Sequence, residues 1–136
     1  MKKSYGSKEA SAGLDAKLPG INTFPNHYRK YEIVIEIPEF TSVCPRTGLP
    51  DFGKIMIKYQ PRKLCLELKS LKIYMLAYRN LGIFNENAVN RILEDIVSVC
   101  RPVWAEVAGD FNPRGGTNIS VIARYPRAAK KLRAGI

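Results

Sequence analysis

Alternating apolar and polar side chains predict strands in the first half of the chain. In residues 31 to 37 every second side chain is Tyr or Ile, and in residues 52 to 59 Gly, Ile and Tyr alternate with Phe, Lys and Met. A period of two is typical of a strand with one buried face. Residues 60 to 63 form a predicted turn into a short strand over residues 64 to 68. Residues 40 to 51 contain two prolines and one glycine and are predicted to form a structured loop.

After residue 68 the period changes to that of a helix. A first helix ends near residues 80 to 82, and its apolar positions, three and four residues apart, are Leu71, Tyr74, Met75 and Tyr78. A second helix begins at Asn85 or Asn87, either of which can cap it. Its continuous apolar stripe consists of Val89, Ile92, Leu93, Ile96, Val97 and Cys100. Pro102 ends this helix, and two strands follow over residues 103 to 111 and 118 to 125, joined by a loop.

This order of elements predicts an α+β domain, a single antiparallel sheet that carries two helices on one face. Such a sheet has two open edges, so we expect subunits to pair edge to edge in a homo-oligomer. We assign residues 28 to 125 to the domain. Residues 1 to 27 form an N-terminal arm, partly ordered by the packing of Ile21 and Phe24, and residues 126 to 136 form a basic C-terminal tail.

The net charge of +10 is concentrated at the ends of the chain. Residues 1 to 27 contribute +2, residues 28 to 123 contribute +3, and residues 124 to 136 contribute +5. Because half of the excess lies in residues 124 to 136, at the end of the chain, the charge does not define a specific nucleic-acid surface, and we do not expect direct tRNA binding. The chain has no apolar run of membrane-spanning length and no secretory signal, so we expect a cytoplasmic protein.

The candidate chemistry centres on Cys44. The three cysteines include no CxxC pair, which argues against a disulfide framework and a thiolate zinc site; Cys65 and Cys100 fall at predicted core positions. Cys44 lies in the predicted loop, seven residues before Asp51. A loop thiol beside an acid can act as a nucleophile, although the spacing alone equally fits an inert cysteine. With His27 as the only histidine, no metal site is expected, and no Rossmann or phosphate-loop motif occurs.

Four blocks of sequence, in the same order, resemble the QueF family. They are FTSVCPRTGLPDF at residues 40 to 52, ELKSLKIY at 67 to 74, YRN at 78 to 80 and FNPRGG at 111 to 116. The family comprises the NADPH-dependent 7-cyano-7-deazaguanine reductases of queuosine biosynthesis, here in their short, single-module form. The resemblance implies the tunnelling fold (T-fold), a four-stranded antiparallel sheet backed by two helices. It also implies a decamer of two stacked pentamers with active sites between subunits.

The resemblance assigns roles to individual residues. Cys44 matches the nucleophile that forms a thioimide with the nitrile, and Asp51 matches the proton donor. The residues that match base-binding positions are Leu66, Glu67, Leu68, Asn85 and Glu86. The basic residues that match positions proposed to hold the NADPH phosphates are Lys69, Lys72 and Arg114. Many relatives have His where this chain has Asn85, and Asn cannot titrate near neutral pH.

Three other functions are weighed against the reductase. A related amidinotransferase, archaeosine synthase, forms the same thioimide on a tRNA-borne base and adds ammonia, but that branch lacks the block found at residues 67 to 72. A cyclohydrolase of the same fold would need zinc ligands that this chain does not supply. A small basic scaffold with an inert Cys44 is the non-enzymatic alternative.

Overall fold

A computed structural model describes residues 6 to 127, and residues 1 to 5 and 128 to 136, which include most of the predicted tail, lie outside the described part. The strands are β1 (Thr23–Pro25), β2 (Ile33–Val43), β3 (Pro50–Gln60), β4 (Leu64–Leu66), β5 (Trp104–Arg114) and β6 (Thr117–Tyr125). The helices are α1 (Ser7–Ala10), α2 (Leu68–Leu76), a 3-10 turn (Ala77–Asn80) that continues α2, and α3 (Asn85–Cys100). Within residues 6 to 127 no helix is long and apolar enough to cross a bilayer.

Four long strands form one antiparallel sheet in the order β2-β3-β5-β6. Along β3, the side chains of Ile55, Ile57 and Tyr59 are fully buried, whereas Phe52 and Lys54 on the other face are exposed. Helices α2 and α3 share one core with this inner face, and the predicted stripe of α3 is buried except for the partly buried Val97. The predicted α+β class, with four antiparallel strands and two helices on one face, is confirmed.

The predicted loop over residues 40 to 51 is wrong at both ends. Strand β2 continues to Val43 and β3 begins at Pro50, so the loop contains only residues 44 to 49. A register shift between Ile37 and Phe40 interrupts the alternation without ending the ladder. The predicted loop at residues 112 to 117 is also too long, because β5 and β6 reach Arg114 and Thr117. Backbone pairing across the ladder, rather than local composition, decides where these strands end.

The short strand after the turn is also shorter than predicted, and its partner comes from the arm. β4 stops at Leu66 and pairs with β1 in a separate two-stranded sheet. Ile21 is buried as expected, but Phe24 is 49% exposed, so its predicted packing is wrong. A strand pairing between residues 40 positions apart leaves no local pattern, which is why the sequence did not reveal it.

Neither asparagine caps α3. The helix begins at Asn85 itself, Phe84 occupies the cap position in an extended conformation, and no side chain makes a capping hydrogen bond. At the other end Arg101 adopts a positive φ of 45° before Pro102, which ends the helix as predicted. The start of α3 is instead defined by the segment before it, which lies along the end of β2.

The sheet and α3 are in close contact at Gly109, which yields a stability prediction. A Cβ at this position would lie 2.7 Å from Cγ2 of Val89 and 2.8 Å from Cε2 of Phe111. Gly109→Ala is therefore expected to destabilise the fold by about 1–3 kcal/mol through overpacking. Chemical denaturation measures the change, with Gly20→Ala, whose added Cβ would have no neighbour within 4 Å, as the control. Equal stability of the two variants would contradict this packing.

Candidate active site

The loop that joins β2 to β3 holds Cys44 in a tight turn. The Cys44 N–H donates to the Leu49 carbonyl at 2.9 Å, and the Gly48 N–H donates to the Cys44 carbonyl at 2.8 Å. Gly48 has φ +74°, a conformation that side chains other than glycine rarely adopt. The Leu49 N–H also donates to the Thr47 hydroxyl at 3.2 Å. The turn thus continues the strand pairing up to the cysteine and fixes its backbone.

The environment of Cys44 favours its thiolate. Cys44 is partly buried, and this burial opposes ionisation of its thiol. The negative charge of Asp51 opposes ionisation further. Hydrogen bonds from the Thr47 hydroxyl and from the backbone N–H groups of Thr47 and Arg46 outweigh both effects, so the pKa of the Cys44 thiol is lowered. Cys65 and Cys100 are buried at 3% and 1% exposure, as predicted for core residues. Burial raises the pKa of Cys100 to about 12.

Asp51 is the second residue of β3 and is buried beside the same loop. Its side chain is on the inner face at 8% exposure, and Oδ1 accepts a hydrogen bond from Nη1 of Arg114 at 2.6 Å. Arg114 is the last residue of β5. Because β5 runs antiparallel to β3, its last residues lie beside the start of β3, where Asp51 is located. A charge-assisted bond of this length holds the carboxyl group in place. The structure therefore joins three of the predicted residues, Cys44, Asp51 and Arg114, in one neighbourhood.

The start of α3 lies at the same end of the sheet. The Val43 N–H donates to the Leu81 carbonyl and the Ile83 N–H donates to the Val43 carbonyl, each at 3.0 Å. Asn85 follows two residues later, and its Oδ1 is buried without a hydrogen-bond partner in the described chain. Glu86 is exposed in the first helical turn. We call Cys44, Asp51, Asn85, Glu86 and Arg114 the nucleophile cluster.

The N-terminal arm contributes contacts that the sequence analysis missed. Glu9 of α1 forms a salt bridge with Arg46 of the loop at 3.5 Å. The Asn87 side chain donates to the Ala10 carbonyl at 2.6 Å. The arm therefore connects the first turn of α3 with the loop that carries the nucleophile. The residues of the arm show no periodic pattern of apolar side chains, so the sequence did not indicate these contacts.

A second group of predicted residues surrounds the start of α2, and we call Leu66, Glu67, Leu68, Lys69 and Lys72 the helix cluster. Glu67 caps the helix: its carboxylate accepts the N–H groups of Lys69 and Ser70, each at 2.8 Å. These N–H groups of Ser70 and Lys69 lower the pKa of Glu67.

The members of the helix cluster differ in exposure. Leu66 is only 3% exposed, so its side chain belongs to the core and only its backbone can face a ligand. Leu68, Lys69 and Lys72 are exposed. The cluster therefore presents one apolar and two basic side chains to the outside of the chain.

The start of α2 lies far from Asp51 along the sheet. The Leu66 N–H donates to the Tyr59 hydroxyl at 2.9 Å, and Tyr59 stands eight residues after Asp51 along β3. At a rise of roughly 3.3 Å per residue, the Cα atoms of Asp51 and Tyr59 are about 26 Å apart. Leu66 and Glu67 are therefore distant from Asp51 within one copy of the chain, whereas Lys72 lines a cavity together with Phe40 and Thr41. Among residues 6 to 127, no group of three or more His, Cys, Asp or Glu side chains is arranged to hold a metal ion.

Comparisons with known proteins agree with the resemblance in the sequence. The family model described as "QueF-like protein" matches residues 50–130. A relative from Elusimicrobium minutum, named NADPH-dependent 7-cyano-7-deazaguanine reductase, is 56% identical over 124 residues, which cover 90% of this chain and 94% of the relative. A relative of the same name from Chloroherpeton thalassium is 52% identical over 107 residues, which cover 77% and 92%.

A solved structure has the same fold. The apo form of an archaeosine synthase QueF-Like superposes with a TM-score of 0.67 and covers 72% of this chain and 96% of that one. At 21% identity this likeness establishes the fold alone. The family model and the extent of identity to the named relatives lead to one conclusion: the chain belongs to the QueF family.

Proposed function

We propose that the protein reduces the nitrile of 7-cyano-7-deazaguanine to a primary amine with NADPH, a step of queuosine biosynthesis. The observation that carries this proposal is the Cys44 loop, in which a thiol of lowered pKa stands beside the buried carboxyl group of Asp51. The relatives that match nearly the whole chain carry the name of this activity. A nucleophilic cysteine is what addition to a nitrile carbon requires.

The proposed chemistry proceeds through a covalent adduct. The Cys44 sulfur bonds to the nitrile carbon, while its proton passes to Asp51 and then to the nitrile nitrogen, giving a neutral thioimide. NADPH, when bound, would supply two hydrides. Addition of the first to the thioimide breaks the bond from carbon to the Cys44 sulfur and leaves an imine, and addition of the second together with a proton from solvent gives the amine, while a further proton restores the thiol. Asp51 starts as the carboxylate paired with Arg114, which is the form able to accept the thiol proton.

The start of α3 suits recognition of the base. The buried Oδ1 of Asn85 lacks a donor among residues 6 to 127, and the base offers N–H groups that can satisfy it. The exposed carboxylate of Glu86 can accept two further N–H bonds. Because an amide does not titrate, Asn85 serves as a hydrogen-bonding group, and the proton chemistry of the site is left to Cys44 and Asp51.

We further propose that two subunits complete each active site. Within one chain, Leu66 and Glu67 lie far from Asp51, so one chain alone does not offer all of its matching residues to one base. In the described sheet β2 and β6 are edge strands, and pairing of such edges between subunits closes a ring. A ring of this kind, stacked in pairs into a decamer, would set the helix cluster of one subunit against the nucleophile cluster of its neighbour.

The basic residues of the helix cluster suit the cofactor phosphates. Lys69 and Lys72 are exposed and form no salt bridge with residues 6 to 127. The first N–H groups of α2 are already bound by Glu67, so phosphate binding would depend on the two ammonium groups. Arg114 pairs with Asp51, but its side chain remains 48% exposed and can also face a phosphate.

The covalent step gives the first functional prediction. With 7-cyano-7-deazaguanine, the protein is expected to consume two NADPH per base, measured by NADPH absorbance. Without NADPH, intact-protein mass spectrometry is expected to detect the base attached to Cys44. Cys44→Ala is expected to abolish both signals, whereas Cys100→Ala, a core substitution, keeps them at reduced stability. Conversion of nitrile-bearing tRNA in ammonia without NADPH consumption would instead identify an amidinotransferase.

The lowered pKa of Cys44 gives a second prediction. Thr47→Val removes the hydroxyl that stabilises the thiolate, so the pKa of Cys44 is expected to rise and its alkylation at neutral pH to slow. Thr47→Ser keeps the hydroxyl and is expected to behave like the parent protein. Iodoacetamide labelling of the Cys44 peptide as a function of pH measures both variants. An unchanged profile in Thr47→Val would show that the hydroxyl does not stabilise the thiolate.

Sharing of the site between subunits predicts complementation. Cys44→Ala and Glu67→Gln disable different clusters, so subunits refolded together at equal amounts are expected to recover about one quarter of the parent activity, the fraction of sites with two intact halves. Cys44→Ala mixed with Asp51→Asn is the matched control, because both changes affect the same cluster and no intact site forms. Absence of recovery in the first mixture, with hybrid oligomers present by mass spectrometry, would place each site within one chain.

A further inference from the structure

Ser42 has a buried hydroxyl that the fold does not use. The residue is fully buried, and its Oγ has no hydrogen-bond partner among residues 6 to 127. Buried polar atoms without a partner are rare in folded proteins because losing water without gaining a hydrogen bond is costly. An alanine would fill most of the same space without that cost. The stability of the fold therefore does not explain the presence of this hydroxyl.

The strand register gives Ser42 a position next to both reacting groups. Ser42 pairs directly with Asp51 across β2 and β3, so both side chains leave the sheet on the same, buried face. Cys44 follows two residues along the chain, where strand pairing still holds its backbone through the bond to Leu49. The hydroxyl thus lies on the same buried face as the carboxyl group, directly before the end of β2 that leads to the thiol.

Asp51 has an oxygen to which Ser42 can bond. Arg114 donates to Oδ1, and no described side chain donates to Oδ2. A guanidinium is only a donor and carries a positive charge, so it favours the charged carboxylate over the protonated acid. A hydroxyl both donates and accepts, so the Ser42 hydroxyl, which is unbonded within the described part of the chain, can bond the carboxyl group once Asp51 takes up a proton.

We propose that Ser42 is a positioning residue for Asp51, whose hydroxyl bonds the carboxyl oxygen that Arg114 leaves free while Asp51 moves the proton between Cys44 and the nitrile nitrogen. This inference rests on the proposed nitrile reduction. It explains why a buried hydroxyl is kept at a position where it adds nothing to the resting fold. A purely structural Ser42 would instead be improved by losing its oxygen.

The chain contains a matched control for this pair. Ser120 stands opposite Asp110 across β5 and β6, and its hydroxyl donates to Oδ1 of Asp110 at 3.3 Å. The two serines thus share the same cross-strand geometry beside an aspartate. Ser120, however, is exposed and belongs to neither cluster. Removing its hydroxyl tests the effect of losing such a pair away from the reacting groups.

Removal of the Ser42 hydroxyl should lower turnover without lowering stability. Ser42→Ala is expected to lower kcat by about tenfold or more, because a hydrogen bond to the reacting carboxyl group is lost. The KM for the base and the melting temperature should be unchanged, or the melting temperature higher. Ser120→Ala is expected to leave kcat unchanged. NADPH consumption and thermal unfolding of the whole protein provide these values.

An isosteric pair isolates the hydroxyl if alanine disturbs the fold. The Thr and Val side chains have nearly the same shape, but Val has a methyl group where Thr has a hydroxyl. The kcat of Ser42→Thr is therefore expected to exceed that of Ser42→Val by about tenfold. Equal kcat in this pair, or a kcat for Ser42→Ala within twofold of the parent, would overturn the role of Ser42. If the parent protein itself does not reduce the nitrile base, the proposed function fails instead, and the two failures are thereby distinguished.

Discussion

The antiparallel pairing of β2 with β3 up to their ends is the constraint on which the candidate site depends. This pairing reduces the connection to six residues, and the last bond of the ladder, from the Cys44 N–H to the Leu49 carbonyl, fixes the nucleophile itself. The same register sets Asp51 on the buried face beside the turn. A loop of twelve residues, as the composition had indicated, would have left the thiol and the acid without a defined relation.

Two physical requirements meet at this turn and conflict. The fold needs its buried polar groups bonded, whereas a catalytic centre needs groups that remain available to a substrate. Arg114 satisfies one oxygen of Asp51, but Ser42 and Asn85 each keep an oxygen without a partner in the described chain. Both unpaired atoms belong to the end of the sheet that carries Cys44. Elsewhere the inner core is apolar, or bonded as in the contact of Tyr74 with Tyr78 and Asp95.

The arm shows how a segment without periodicity becomes part of the structure. Its backbone fills a narrow space at Gly13, where an added Cβ would lie 2.7 Å from the Gly82 carbonyl oxygen. Arg91 of α3 donates to the Gly13 carbonyl at 2.8 Å and also binds Asp95. The arm therefore packs across the segment that leads into α3 and reaches the nucleophile loop through Glu9 and Arg46. The bonds from Asn87 to Ala10 and from Arg91 to Gly13 are accepted by backbone carbonyl groups, which every sequence contains and no pattern marks.

The sequence by itself determined the class of fold, the inner stripe of α3, the core positions of Cys65 and Cys100, and, through the resemblance of its blocks, the family. These features depend on which residues are apolar and on their spacing, both of which can be read along the chain. Only the tertiary structure decided the ends of the strands, the pairing of β1 with β4, the bond between Asp51 and Arg114, and the distance of Leu66 and Glu67 from Asp51. Each of these results from contacts between residues far apart in sequence, whose register is set by backbone hydrogen bonds that are the same for all residue types.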